Sequence, residues 1–171
     1  MSRPLDSTLN VAERLRDAVS ERLAADGRPV RRALVYPGDT PSWDDCCDSG
    51  ADGEGLAAVA VDRVYPADPF PVEDSDAQRC GVREYGATFG VHVLRCAATV
   101  SASGAPPTVE SIEADTVDVA ADRESVAAAI GVVCDELDDP GGVTITDWTP
   151  LGPQGGCVGG VWRLTVAVPA P

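Results

Sequence analysis

Two stretches of this chain, residues 84–100 and 158–168, alternate in polarity with a period of two, which commits each to a strand with one face turned towards a core. In the first, Phe89, Val91 and Val93 lie on one face and Gly90, His92 and Leu94 on the other. In the second, Trp162, Leu164, Val166 and Val168 oppose Val161, Arg163, Thr165 and Ala167. Such strands need a helical layer to keep one side dry, and the rest of the chain supplies it.

Over residues 7–25, Val11, Leu15, Val19 and Leu23 recur every four positions, with Arg14, Arg16, Asp17, Glu21 and Arg22 on the remaining face, which predicts an amphipathic helix. Asn10 followed by Glu13 has the form of a capping box, Ser7 is an equally good cap, and Asp26-Gly27 supplies the stop. A second, long or kinked helix is expected after Pro106-Pro107-Thr108, carried by Val109, Ile112, Val119, Val126, Ile130, Val133, Cys134 and Leu137 and ended by Asp139-Pro140-Gly141-Gly142. Shorter strands are expected at 30–36, 56–65 and 143–149. The loop near 37–55 is rich in Pro, Gly and acidic residues, and that near 66–80 carries Pro66, Pro69 and Pro71 among acids, so an extended, exposed arm is expected there.

These segments predict one α+β domain over 1–171 in the order α-β-β-β-α-β-β. Its antiparallel sheet would have about four to five strands, begin as a meander, and carry two helices on one face. At 171 residues the chain buries a genuine core without staples.

With 13 basic and 28 acidic residues the formal net charge is −15, which argues against sequence-independent binding to a nucleic-acid backbone. Every basic residue is Arg, which points to a high-GC genome. Residues 1–10 hold no apolar run of the secretory kind, and no later stretch has the apolar length of a membrane span, so the expectation is a cytosolic chain with no membrane partner. Cys46, Cys47, Cys80, Cys96, Cys134 and Cys157 are then expected to be reduced unless a particle carries them out of the cell.

Catalytic and cofactor motifs are not in evidence. His92, the single histidine, falls inside the best strand, where a structural role outweighs service as a base. Cys46 and Cys47 are adjacent and no C-x-x-C pair offers half of a zinc site, so neither metal nor cofactor is expected. The glycine-rich run 152–160 lacks the Gly-Lys-Ser/Thr ending of a phosphate loop and precedes a strand, which favours a tight hairpin. The acid clusters at 44–45, 73–76 and 135–139 lack the alternating ligand spacing of a calcium loop and read as solvated faces.

Several strings have a distinctive form: residues 31–41 leading to Trp43-Asp44-Asp45-Cys46-Cys47; Arg63-Val64-Tyr65-Pro66-Ala67-Asp68-Pro69-Phe70-Pro71; Leu94-Arg95-Cys96; and Pro150-Leu151-Gly152-Pro153-Gln154-Gly155-Gly156-Cys157-Val158-Gly159-Gly160. Together they resemble the tail terminator proteins of long-tailed actinobacteriophages over most of the chain. The resemblance implies a non-enzymatic virion protein, assembled in the host cytoplasm as a hexameric ring at the neck. Such a ring caps the major tail tube protein, joins it to the head-completion or connector protein, and lets DNA pass its lumen without specific binding. It also implies subunit contacts at Trp43, Asp44, Asp45, Pro66, Pro69, Phe70, Pro71, Gly155, Gly156, Gly159 and Gly160. A head-completion or stopper protein is the nearest alternative; a small cytosolic enzyme using carboxylate chemistry is the alternative from a different class.

Overall fold

The computed structural model describes residues 4–41, 46–47, 54–75, 84–101, 103–137 and 142–169. The elements run α1 (Pro4–Ala25), β1 (Arg32–Pro37), β2 (Leu56–Pro66), β3 (Glu84–Cys96), α2 (Val109–Glu136), β4 (Val143–Gln154) and β5 (Cys157–Pro169). The α+β class and the order α-β-β-β-α-β-β are those expected, and the sheet has five strands.

The strand order is β1-β2-β3-β5-β4, and β1 pairs with β2 in parallel, from Arg32↔Leu56 to Pro37↔Val61. The sheet is therefore mixed, and the opening meander expected from the sequence is corrected. A parallel neighbour needs a crossover rather than a hairpin, and the connection between Pro37 and Leu56 is long enough to make one. The remaining pairs, β2 with β3, β3 with β5 and β5 with β4, are antiparallel.

Both helices lie against one face of the sheet. Val11, Leu15, Val19 and Leu23 of α1 and Val126, Ile130 and Val133 of α2 meet Val59, Phe89, Val91, Val93, Leu164 and Val166 in one buried cluster. Burying a side chain of this size contributes about 1.5–3 kcal/mol, so these residues dominate the drive to fold. The opposite face is not simply wet. Cys46, from the crossover, packs with Leu56, Ala58, Leu94 and Cys157 in a second, smaller cluster.

Local signals explain the helix ends. α1 begins at Pro4, a residue suited to the first helical turn, so Ser7 and Asn10 lie inside the helix rather than capping it. At its other end Gly27 adopts φ 72°, and the amides of Gly27 and Arg28 return to the carbonyls of Ala24 and Leu23 at 3.1 and 2.8 Å. That is the paired hydrogen bonding of a Schellman stop. α2 is capped by Thr108, whose hydroxyl accepts from the Ser111 amide at 3.2 Å.

A buried ionic hub joins the layers. Asp122 of α2 accepts from Arg28 Nε at 3.0 Å, Arg95 Nε at 2.9 Å and Arg95 Nη2 at 3.0 Å. Arg95 also donates to the carbonyls of Arg28, Pro29 and Glu54 at 2.8–3.0 Å, which gathers the end of α1, the end of β3 and the entry to β2 onto one guanidinium.

Candidate assembly surfaces

The segment that starts at Pro66, the last residue of β2, carries four of the expected contact residues. It is not the extended arm that its prolines suggest. The Asp68 amide donates to Val72 O at 3.1 Å, Val72 to Pro69 O at 2.9 Å and Asp74 to Pro66 O at 2.9 Å, so the loop closes on itself. Tyr65 donates its hydroxyl to Pro71 O at 2.8 Å, Ala67 bridges Glu73, and the Asp68–Pro69 and Phe70–Pro71 peptides are cis. Local hydrogen bonds outcompete the extended conformation here. Pro66 ends β2 opposite Tyr85, while the tip offers half-buried Phe70 with exposed Pro71 and Val72.

The glycine-rich run is the expected hairpin: Gly155 and Gly156, at φ 59° and 82°, form the two-residue turn between β4 and β5. Gly159 and Gly160 are buried within the sheet. A Cβ at Gly159 would fall 1.9 Å from Val93 O, and one at Gly160 would fall 2.0 Å from Cζ2 of Trp148. Trp148 in turn faces Trp162 across the β4–β5 pair, with ring centroids 5.7 Å apart.

Between the first half of α2 and this hairpin runs a groove of about 720 Å³, lined chiefly by apolar groups that include Val100, Ile112, Val119, Pro150, Leu151 and Val158. Val100 is 61% exposed and Ile112 51% exposed, and Val109 and Val117 on the same stretch of α2 are exposed too. β4, which forms one wall, is an outer strand of the sheet. An apolar groove beside an unshared strand edge is a surface that favours a partner.

The crossover is fastened by two disulfides, Cys46–Cys157 and Cys47–Cys96, which corrects the expectation that these cysteines are reduced. The pairing follows from the sheet register, because Cys96 and Cys157 are directly opposite on β3 and β5. Neighbouring cysteines on the crossover can therefore each take one of them. Among the described residues Cys134, on α2, has no disulfide partner. Trp43, Asp44, Asp45 and Cys80 lie outside the described residues.

His92 points to the crossover side of β3 and is 4% exposed, with neither ring nitrogen hydrogen-bonded; Oδ1 of Asp62 is buried and likewise without a partner. Burial, with a smaller push from the Arg163 charge, lowers the imidazole pKa to about 4, against a partial opposing pull from the nearby Asp39 backbone, which falls short of a well-formed hydrogen bond, and from the Asp39 charge. Burial raises that of Asp62, with Arg163 opposing. The imidazole is therefore held neutral and enclosed on that face of β3.

Asp122 and Arg95 were not singled out as a pair by the sequence, since an acid on a helix rich in acids looks solvated. The signal available was its position, three residues after Val119 and four before Val126, on the buried side of α2. Among the described residues no helix is long and apolar enough to cross a membrane. No protein-family model matches the chain. Comparison with curated proteins finds no significant relative.

Proposed function

We propose that this chain is a structural protein of a phage virion, a tail terminator whose copies form a ring, hexameric in this reading, on the head-proximal end of the tail tube. It works by fitting surfaces together and transforms no substrate. The observation that carries the proposal is the apolar groove beside the β4 edge, where Val100 and Ile112 stand half or more exposed on an otherwise acidic chain. Exposed apolar side chains clustered in one groove are costly to leave in water, and a neighbouring copy or ring relieves that cost.

Further support comes from the strings that resemble tail terminators. The crossover carries Cys46 and Cys47, the loop tip presents Phe70, and the hairpin presents Gly155. The net charge of −15 suits a lumen that DNA traverses without sticking, because a ring multiplies every inward-facing carboxylate. A head-completion or stopper protein is the second reading, supported by the same groove and charge.

Electron microscopy of the purified chain mixed with isolated tail tubes tests the assignment. Rings seated on the head-proximal tube end are expected. Rings that ignore tubes and bind the head-side connector instead would transfer the assignment to the stopper reading.

A further inference from the structure

Four cysteine sulfurs converge at one end of the sheet. Sγ of Cys46, Cys47 and Cys157 lie within 4.8 Å of one another, those of Cys46 and Cys47 are 3.5 Å apart, and Cys96 is bonded to Cys47. Two of the four are anchored on paired strands and two on the crossover, so their convergence is set by the fold and not only by the bonds between them. We propose that Cys46, Cys47, Cys96 and Cys157 form a tetrathiolate site for zinc, filled when the sulfurs are reduced and closed by the two disulfides when they are oxidised.

Geometry supports it first. A tetrahedral zinc with Zn–S bonds of about 2.3 Å places its sulfurs about 3.8 Å apart. The Cys46 and Cys47 sulfurs are 3.5 Å apart and those of Cys46, Cys47 and Cys157 all lie within 4.8 Å of one another. Three of the four are thus already close enough to share one ion, and reduction frees the bonded pairs to part towards the tetrahedral spacing. Surroundings support it second. Cys46 and Cys157 are fully buried against Leu56, Ala58 and Leu94, a dry shell that strengthens thiolate–metal bonds, while Cys47 reaches the surface and gives the ion a way in. The donor set supports it third, since four soft sulfurs select zinc over hard cations such as magnesium or calcium.

The chemistry balances with a small dithiol as reductant. Two dithiols become two cyclic disulfides, delivering four electrons and four protons to the two protein disulfides and leaving four thiols. Zinc then binds the four thiolates and releases up to four protons to solvent. The spacing of the cysteines along the chain hides the site, because two of its ligands meet only through the β3–β5 register.

The test uses the full chain, reduced under nitrogen with a phosphine and titrated with cobalt(II), then zinc. The proposal predicts thiolate-to-cobalt charge-transfer bands and the strong visible bands of tetrahedral cobalt, saturating at one ion per chain and erased by zinc. Native mass spectrometry should show a single zinc. Cys46→Ser and Cys157→Ser should lose the bands, whereas Cys134→Ser should keep them. Absence of the bands from a reduced chain that keeps its far-ultraviolet circular dichroism would overturn the proposal. If the metal-free reduced chain or a serine variant unfolds, the reduced wild-type chain decides: refolding with zinc supports the site, and failure to refold with zinc refutes it.

Discussion

Asp122 and Arg95 face each other through two hydrogen bonds, Nε to Oδ2 at 2.9 Å and Nη2 to Oδ1 at 3.0 Å, with the carboxylate only 1% exposed. A planar guanidinium matched to a carboxylate in this way fixes orientation as well as distance. The pair sits where α1, α2, β3 and the start of β2 come together, so it governs how the helical layer registers on the sheet.

Removing one member of such a buried pair leaves the other uncompensated. Asp122→Ala is expected to destabilise the chain by about 3–5 kcal/mol, read as a lowered urea midpoint. Arg95→Lys, which keeps the charge but cannot span both oxygens and three carbonyls, is expected to lose a substantial part of that. A midpoint unchanged by Asp122→Ala would show that the hub is dispensable.

His92 supplies a pH dependence with a definite sign. Its folded pKa, about 4, lies below the usual 6.5, so the unfolded chain takes up the proton first. Stability is therefore lost as pH falls from about 6.5 towards 4, by up to about 3 kcal/mol, and levels off below both values. Because His92 is the one histidine, its imidazole resonances can be followed by NMR alone. A folded-state titration midpoint near 6.5 would contradict the enclosed environment.

Gly159 and Gly160 are required by packing inside the subunit. Gly160→Ala drives a methyl into the Trp148 ring and is expected to cost about 1–3 kcal/mol, as overpacking does. Gly159→Ala meets backbone at Val93, which yields less readily than a side chain, and should cost more. Gly152→Ala, with open space around it, is the control and should leave the thermal midpoint within a degree or so, by analogy with unencumbered surface changes of about 0.5 kcal/mol or less.

Ile112 separates assembly from folding. Being half exposed on α2, it can become Arg with a change in monomer stability of about 0.5 kcal/mol or less. The same substitution places a charge in the apolar groove and should abolish higher assembly in sedimentation analysis. Val132→Arg, at an exposed position in the later half of α2, should not. Equal behaviour of the two variants would remove the groove from the interface.

Much of the fold could be read from side-chain periodicity, because alternation at Phe89, Val91 and Val93 and four-residue spacing at Val11, Leu15, Val19 and Leu23 report directly which face is dry. Periodicity carries no information on which strand lies beside which, so the parallel pairing of β1 with β2 was not foreseen. The loop after Pro66 was misjudged because proline content reports φ but not the hydrogen bonds that Asp68 and Val72 make. The sulfur cluster was hidden for a related reason. Cys96 and Cys157 are far apart in sequence and become neighbours only once β3 and β5 pair.

Native mass spectrometry of the purified full-length chain, across a concentration series, decides whether its copies associate. A closed ring should give a single dominant species at six times the 17.7 kDa chain mass, insensitive to further concentration. A species that stays at one chain mass at every concentration, with and without tail tubes, would contradict the assembly reading outright.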